Sequence, residues 1–226
     1  MSLGRIGGPS DGGVDLQGWW WLPPLPGLPV SKGHLAASMM NPTKVTELGR
    51  NIADAGRRRV RVLAQCKAES KPLGPHYIRE MEGVLYGYLV SLLKSCSHHG
   101  VVSDGSAIDI SSSRPTQLYP TIGMVVSQSA FTKSSIHRAM ASSVPLLLMH
   151  LPPLGGAGME GSAGERAEAH AASLQWNPAL GSDSGLFGGN LEIRWEREST
   201  GEAEGGRPFM YWKGRRLENW IPQDTH

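Results

Sequence analysis

The sequence predicts an α/β protein with a central mixed sheet of about four strands flanked by helices. Three observations carry that expectation. Residues 60–67 alternate with the period of a strand, so that Arg61, Leu63, Gln65 and Lys67 share one face. Ile78, Met81, Leu85, Leu89 and Leu92 recur at helical spacing, which predicts a core-facing helix over 75–94. Between 122 and 150 the order is strand, helix, strand, which favours a right-handed crossover and parallel pairing at that edge.

The elements follow in order. Residues 14–22 form the first strand, opened by a glycine-rich turn and closed by Pro23-Pro24. Its run Trp19-Trp20-Trp21 suits packing on both sheet faces, with stacking on bases as the alternative. Residues 23–58 are an insertion rich in Pro, Gly and polar residues, with a short helix over 42–55 between the N-cap Asn41 and the stop Gly56. Arg57-Arg58-Arg59 leads into the second strand, either as a phosphate clamp beside the site or as a solvated edge that discourages aggregation.

After the 75–94 helix, His98-His99-Gly100 reads as a polar C-terminal turn, and 101–118 as a Ser-rich loop. Residues 122–126 are the third strand. Thr132 caps a helix running to Ser142, with His137 as a surface or packing residue, and 144–150 form the last core strand. Residues 152–185, rich in Gly, Ala and Ser, suit a mobile linker. The tail regains pattern: 191–197 alternates strictly, and 208–213 fits as its hairpin partner. The expected division is thus a core over 1–151, a linker over 152–185 and a hairpin extension over 186–226.

A chain of 226 residues suits one domain with additions. The net charge of +2 conceals an asymmetry. Residues 1–150 carry 15 Lys and Arg against 9 Asp and Glu, a balance of +6, whereas 151–226 carry 7 against 11, a balance of −4. A basic half suits a polyanionic partner. Two cysteines, Cys66 and Cys96, are too few for a disulfide framework or a zinc cluster. Cys66 alternates to the face opposite Gln65 and Lys67 and is expected as a small buried filler. No run of about 18 apolar residues exists to span a membrane.

The chemistry-bearing pattern is Asp15 at the head of the first strand together with Gln65 and Lys67 on the second. An amide oxygen and an ammonium stand two residues apart on one strand face, and Asp15 adds a carboxylate beside them. Such a set holds a divalent metal and steadies a phosphate under attack, which points to phosphodiester cleavage. Lys71 and Arg79 join Arg57, Arg58 and Arg59 as expected nucleic-acid contacts. Arg79, Glu80 and Glu82 lie in the first turns of the helix, within reach of the site, although Glu82 fits better as a surface charge.

Four blocks, in order, resemble the Mrr-type restriction endonuclease-like domain of the PD-(D/E)xK nuclease superfamily. They are Asp11-Gly12-Gly13-Val14-Asp15, then Gln65-Cys66-Lys67, then Tyr77-Ile78-Arg79-Glu80-Met81-Glu82-Gly83, and finally the pair of runs 123–133 and 145–149. Leu3-Gly4-Arg5-Ile6-Gly7-Gly8, the Trp-rich strand and Tyr211-Trp212-Lys213-Gly214-Arg215-Arg216-Leu217 are most similar to the fungal mitochondrial "required for respiratory growth" group. The resemblance implies a restriction-endonuclease-like core and a metal-dependent endodeoxyribonuclease using Mg2+ or Mn2+, with DNA as partner and a mitochondrial location. It implies Asp15, Gln65 and the Cys66 carbonyl as metal ligands, and Lys67 as the cation that orients the attacking water or neutralises the phosphate. It also implies a helix upstream of the first motif that supplies a further acidic residue. The first motif begins close to Met1, so that helix and any targeting peptide are expected to precede this chain. A noncatalytic nuclease-fold protein of mitochondrial maintenance or assembly is the alternative.

Overall fold

The computed structural model describes residues 1–8, 12–23, 57–97, 119–153, 171–196 and 206–222. The elements are β1 (Ser2–Arg5), β2 (Leu16–Leu22), β3 (Arg58–Lys67), α1 (Pro75–Ser97), β4 (Thr121–Ser127), α2 (Lys133–Met140), β5 (Leu146–His150), β6 (Ser173–Trp176), the single turn α3 (Pro178–Gly181), β7 (Leu191–Glu196), β8 (Arg207–Trp212) and β9 (Arg215–Arg216). The first six strands make one sheet in sequential order, and the last three make a second. The fold class is therefore α/β with a mixed sheet, as the sequence predicts. Parallel pairing joins β3 to β4 and β4 to β5, and the other pairs of this sheet are antiparallel.

Alternation along the strands separates two cores. On one face Leu63, Val125, Leu146 and Leu148 meet Ile78, Met81 and Leu85 of α1 and Ala139 of α2. Burying each of the three α1 side chains contributes roughly 1.5–3 kcal/mol. Gly123 of β4 lets the helix lie this close, because a Cβ there would stand 2.8 Å from Leu85 and 3.0 Å from Met81. On the other face Trp20, Leu22, Val60, Val62, Met124 and Leu147 pack with Leu180, Phe187, Leu191 and Trp212. The Trp run is absorbed by packing: Trp20 meets Phe187 edge-on at 5.5 Å and Trp21 meets Trp220 at 5.6 Å.

Several expectations are corrected. The sheet has six strands, because β1 and β6 are short edges with weak alternation. Of the linker expected over 152–185, residues 154–170 lie outside the described residues, and 171–185 are no linker. Strand β6 pairs with β5, and Asn177, fully buried, caps α3 while bonding the backbone of Ser142, Val144 and Leu146. The tail is likewise no detached hairpin, since Leu191 and Trp212 complete the second core and β9 adds a third strand.

Leu89 is exposed and Leu92 half-buried, because α1 outruns the sheet beneath it. At ~1.5 Å per residue in a helix against ~3.3 Å in a strand, 23 residues of α1 exceed the span of the seven-residue β4 by roughly 10 Å. Thr132 does cap α2, its hydroxyl accepting from Ser135 N–H at 3.2 Å, and His137 is exposed. Asp11, the 42–55 helix, His98, His99 and the 101–118 loop lie outside the described residues. No helix among the described residues is long and apolar enough to cross a membrane.

Candidate active site

The site lies where β2 begins and β3 ends, under the first turns of α1. Strand β3 carries Leu63, Gln65 and Lys67 toward the helix face, and Gln65 is only 1% exposed. A short connection then opens α1 with Pro75, a residue suited to the first helical position. Ile78 and Met81, locked in the core, turn Glu80 toward the end of β3. Glu80 Oε1 accepts from Gln65 Nε2 at 2.9 Å and from Lys67 Nζ at 3.3 Å. One carboxylate thus bridges the amide and the ammonium. The Lys67 ammonium also stands 5.1 Å from the centre of the Tyr77 ring, whose hydroxyl donates to Glu69 at 2.8 Å. That hydrogen bond, with lesser desolvation and the charges of Glu69 and Glu80, pushes the Tyr77 phenol up from its ordinary value.

Asp15 enters from the other side. Its backbone N–H donates to Ala64 at 2.9 Å, and its Oδ2 accepts from the backbone N–H of Cys66 at 2.7 Å. The carboxylate therefore sits one peptide unit from both Gln65 and Lys67. In a strand, a residue's N–H and C=O point to the same edge, so the Cys66 carbonyl also faces the Asp15 side. Between Asp15 and Gln65 runs the turn at Gly13, with φ of +82°. A Cβ there would stand 2.8 Å from Gln65 Nε2 and 3.6 Å from Glu80 Oε1, so only glycine lets the turn close over these side chains.

Gln65 Oε1 is buried and has no hydrogen-bond partner. Exchanging the amide's two ends would set oxygen against the Glu80 oxygen, so the network itself dictates this orientation. Asp15, Glu80 and the orphaned Gln65 oxygen make a donor set of hard oxygens that fits a magnesium-type cation. Among the described residues no cluster of three or more His, Cys, Asp or Glu side chains that could hold a metal ion occurs.

Asp15, Gln65, Cys66 and Lys67, the sequence-predicted centre, are thus brought together. The Arg triplet is not. From Arg58 to Gln65 is seven residue steps, roughly 23 Å along an extended strand. The guanidinium of Arg58 donates to the Leu186 carbonyl at 2.9 Å, whereas Arg57 and Arg59 lie over Trp220 and Trp21 at 4.3 and 4.6 Å. They stand at the opposite end of the sheet, which overturns their role as a clamp beside the site. Lys71 and Arg79 are exposed near the correct end.

Glu82 is buried rather than a surface charge, and Arg138 of α2 grips it through both Nε and Nη2. Cys66 is exposed rather than a buried filler. Although the residue is open overall, partial desolvation and then the Asp15 charge push its thiol up. Glu80 and Tyr77 are the members whose importance the sequence understated. The signal for Glu80 was its place in the first turns of a helix that directly follows the Gln65–Lys67 strand.

The fold and site together define an α/β protein with a carboxylate–amide–ammonium cluster at the end of a mixed sheet. The sequence model of the family described as "Required for respiratory growth protein 7" matches residues 1–97. That span contains every residue of the cluster and ends with α1. No curated protein and no solved structure matches the chain.

Proposed function

We propose that this protein is a metal-dependent endodeoxyribonuclease of the Mrr-like, restriction-endonuclease-like type, acting in mitochondrial maintenance that respiration requires. The observation that carries the reading is the orphaned, buried oxygen of Gln65 beside two carboxylates and a lysine. A buried acceptor left unsatisfied costs about 1–3 kcal/mol, which a cation taken by Gln65 Oε1 would offset. The mitochondrial part rests on the match to the respiratory-growth family.

Asp15, Glu80, Gln65 Oε1 and the Cys66 carbonyl would hold Mg2+ or Mn2+, which supplies Lewis-acid charge and an acidified water when bound. Lys67, held by Glu80 and the Tyr77 ring, would turn its ammonium to an incoming phosphate and stabilise charge gathering on it. The buried amide of Gln65 would hold Glu80 in place through Nε2 while presenting Oε1. Lys71 and Arg79 would contact flanking phosphates.

The internal pairing of Lys67 with Glu80, and of Asp15 with a backbone N–H, favours a second reading as a noncatalytic nuclease-fold protein. Cleavage assays separate the two. Purified protein with Mg2+ or Mn2+ should nick plasmid or cut single-stranded or modified DNA, and Lys67→Ala should reduce this by roughly 10²–10³-fold without unfolding the chain. Absence of cleavage on all these substrates, or full activity in Lys67→Ala, leaves the noncatalytic reading standing. A tagged full-length protein found only in cytosol or nucleus overturns the mitochondrial part.

A further inference from the structure

A second concave site lies at the other end of β3. It has a volume of about 670 Å³ and is lined by Pro23, Arg57, Trp212, Leu217 and Trp220, together with Lys213, Arg215, Arg216 and Glu218. Four cations and one carboxylate thus line it. Among the described residues Arg57, Lys213 and Arg215 have no carboxylate partner, and Arg216 has Glu196 at 3.5 Å. Arg57 is held against the Trp220 ring at 4.3 Å, which fixes its guanidinium without neutralising it. The two-residue turn Lys213-Gly214 links β8 to β9, so Lys213 and Arg215 are presented from one tight hairpin end.

Like charges gathered around a cavity repel one another, and an anion bound among them relieves that repulsion. The apolar walls of Pro23, Trp212, Leu217 and Trp220 add room for a flat, uncharged part. The volume falls within the range of small-molecule sites.

We propose that this pocket binds a phosphate monoester of nucleotide size, supplied either as a free nucleotide or as the phosphorylated end of a nucleic-acid strand. Lys213, Arg215 and Arg57 take the phosphate, and the apolar wall of Pro23, Leu217 and Trp220 takes the base. The site stands apart from the Asp15–Gln65–Lys67 cluster and does not depend on hydrolysis there.

Calorimetric titration of the full chain in EDTA tests this, using AMP, adenosine, inorganic phosphate, and an oligonucleotide with a 5′-phosphate or a 5′-hydroxyl. AMP and phosphate should bind and adenosine should not. The double variant Lys213→Ala, Arg215→Ala should lose AMP affinity by at least about tenfold, because two charge-assisted bonds are removed. Both residues are exposed, so the fold should survive, and an unchanged thermal melt checks this. Asp15→Asn should retain affinity, which separates this site from the proposed hydrolytic one. Tighter binding of the 5′-phosphorylated oligonucleotide than of AMP identifies a strand end as the source, and the reverse identifies a free nucleotide. Failure of both AMP and phosphate to bind, or unchanged AMP affinity in the double variant, overturns the proposal.

Discussion

Glu80 and Gln65 meet across the seam between α1 and β3, the amide Nε2 donating to the carboxylate at 2.9 Å. Because Glu80 also takes the Lys67 ammonium, one helical side chain orients both polar groups of the strand. Substituting Glu80→Gln keeps an oxygen for Gln65 and removes only the charge. Its side chain is 43% exposed, and that of Lys67 21%, so the stability change should stay within about 1 kcal/mol. Affinity for Mn2+, followed by calorimetry or by electron paramagnetic resonance, should fall clearly. Unaltered Mn2+ binding would remove Glu80 from the metal set.

The Gly13→Ala substitution probes the turn above these groups. A left-handed backbone costs a residue with a Cβ about 1–2 kcal/mol. Here the added methyl also meets Gln65 Nε2 at 2.8 Å, so the amide must move. The variant should melt at lower temperature and also bind Mn2+ more weakly. Loss of stability with intact metal affinity would show that Gln65 tolerates displacement.

Asn177 tests whether the 171–185 segment belongs to the core. Its Oδ1 accepts from the N–H groups of Leu146 and Leu180 at 2.9 and 3.2 Å, and its Nδ2 donates to Ser142 and Val144 at 3.1 and 2.8 Å. Truncation in Asn177→Ala leaves three backbone groups, the Leu146 N–H and the Ser142 and Val144 carbonyls, without partners in a buried setting, while Leu180 N–H keeps the Asn177 carbonyl. At about 1–3 kcal/mol for each group that water cannot reach, the loss measured by urea denaturation should be at least ~3 kcal/mol. A mobile linker residue would register almost nothing.

Legibility in the sequence followed the strength of local pattern. Strand β3 was readable because alternation over 60–67 fixes which side chains share a face, and the same alternation placed Gln65 beside Lys67. The start of α1 was readable from Ile78, Met81 and Leu85. Its far end was not, because periodicity shows which face is apolar but not where the sheet beneath it stops. The linker expectation failed at Asn177, where one buried amide ties small, Gly-rich composition into the sheet. Composition does not reveal such a tertiary hydrogen bond. The Arg triplet was misplaced because adjacency in a strand is not adjacency in space: residues at opposite ends of β3 are bound to different layers.

Cys66 carries the last prediction, since it reads out the charge of Asp15 without any assay of function. Its thiol is exposed to reagents, yet partial desolvation and the neighbouring carboxylate push its ionisation up, so it stays protonated at neutral pH. Reaction with iodoacetamide in a Cys96→Ser background should therefore be slow at pH 7 and rise only at pH values above those of an ordinary thiol. Asp15→Asn retains an oxygen for the Cys66 N–H and removes the negative charge. The profile should then shift to lower pH, by less than its total displacement, because desolvation is the larger cause and remains. Saturating Mg2+ should act in the same direction on the wild type, as a cation beside Asp15 offsets its field. A profile that neither Asp15→Asn nor Mg2+ moves would place the Asp15 charge too far from Cys66 for the two to share a site.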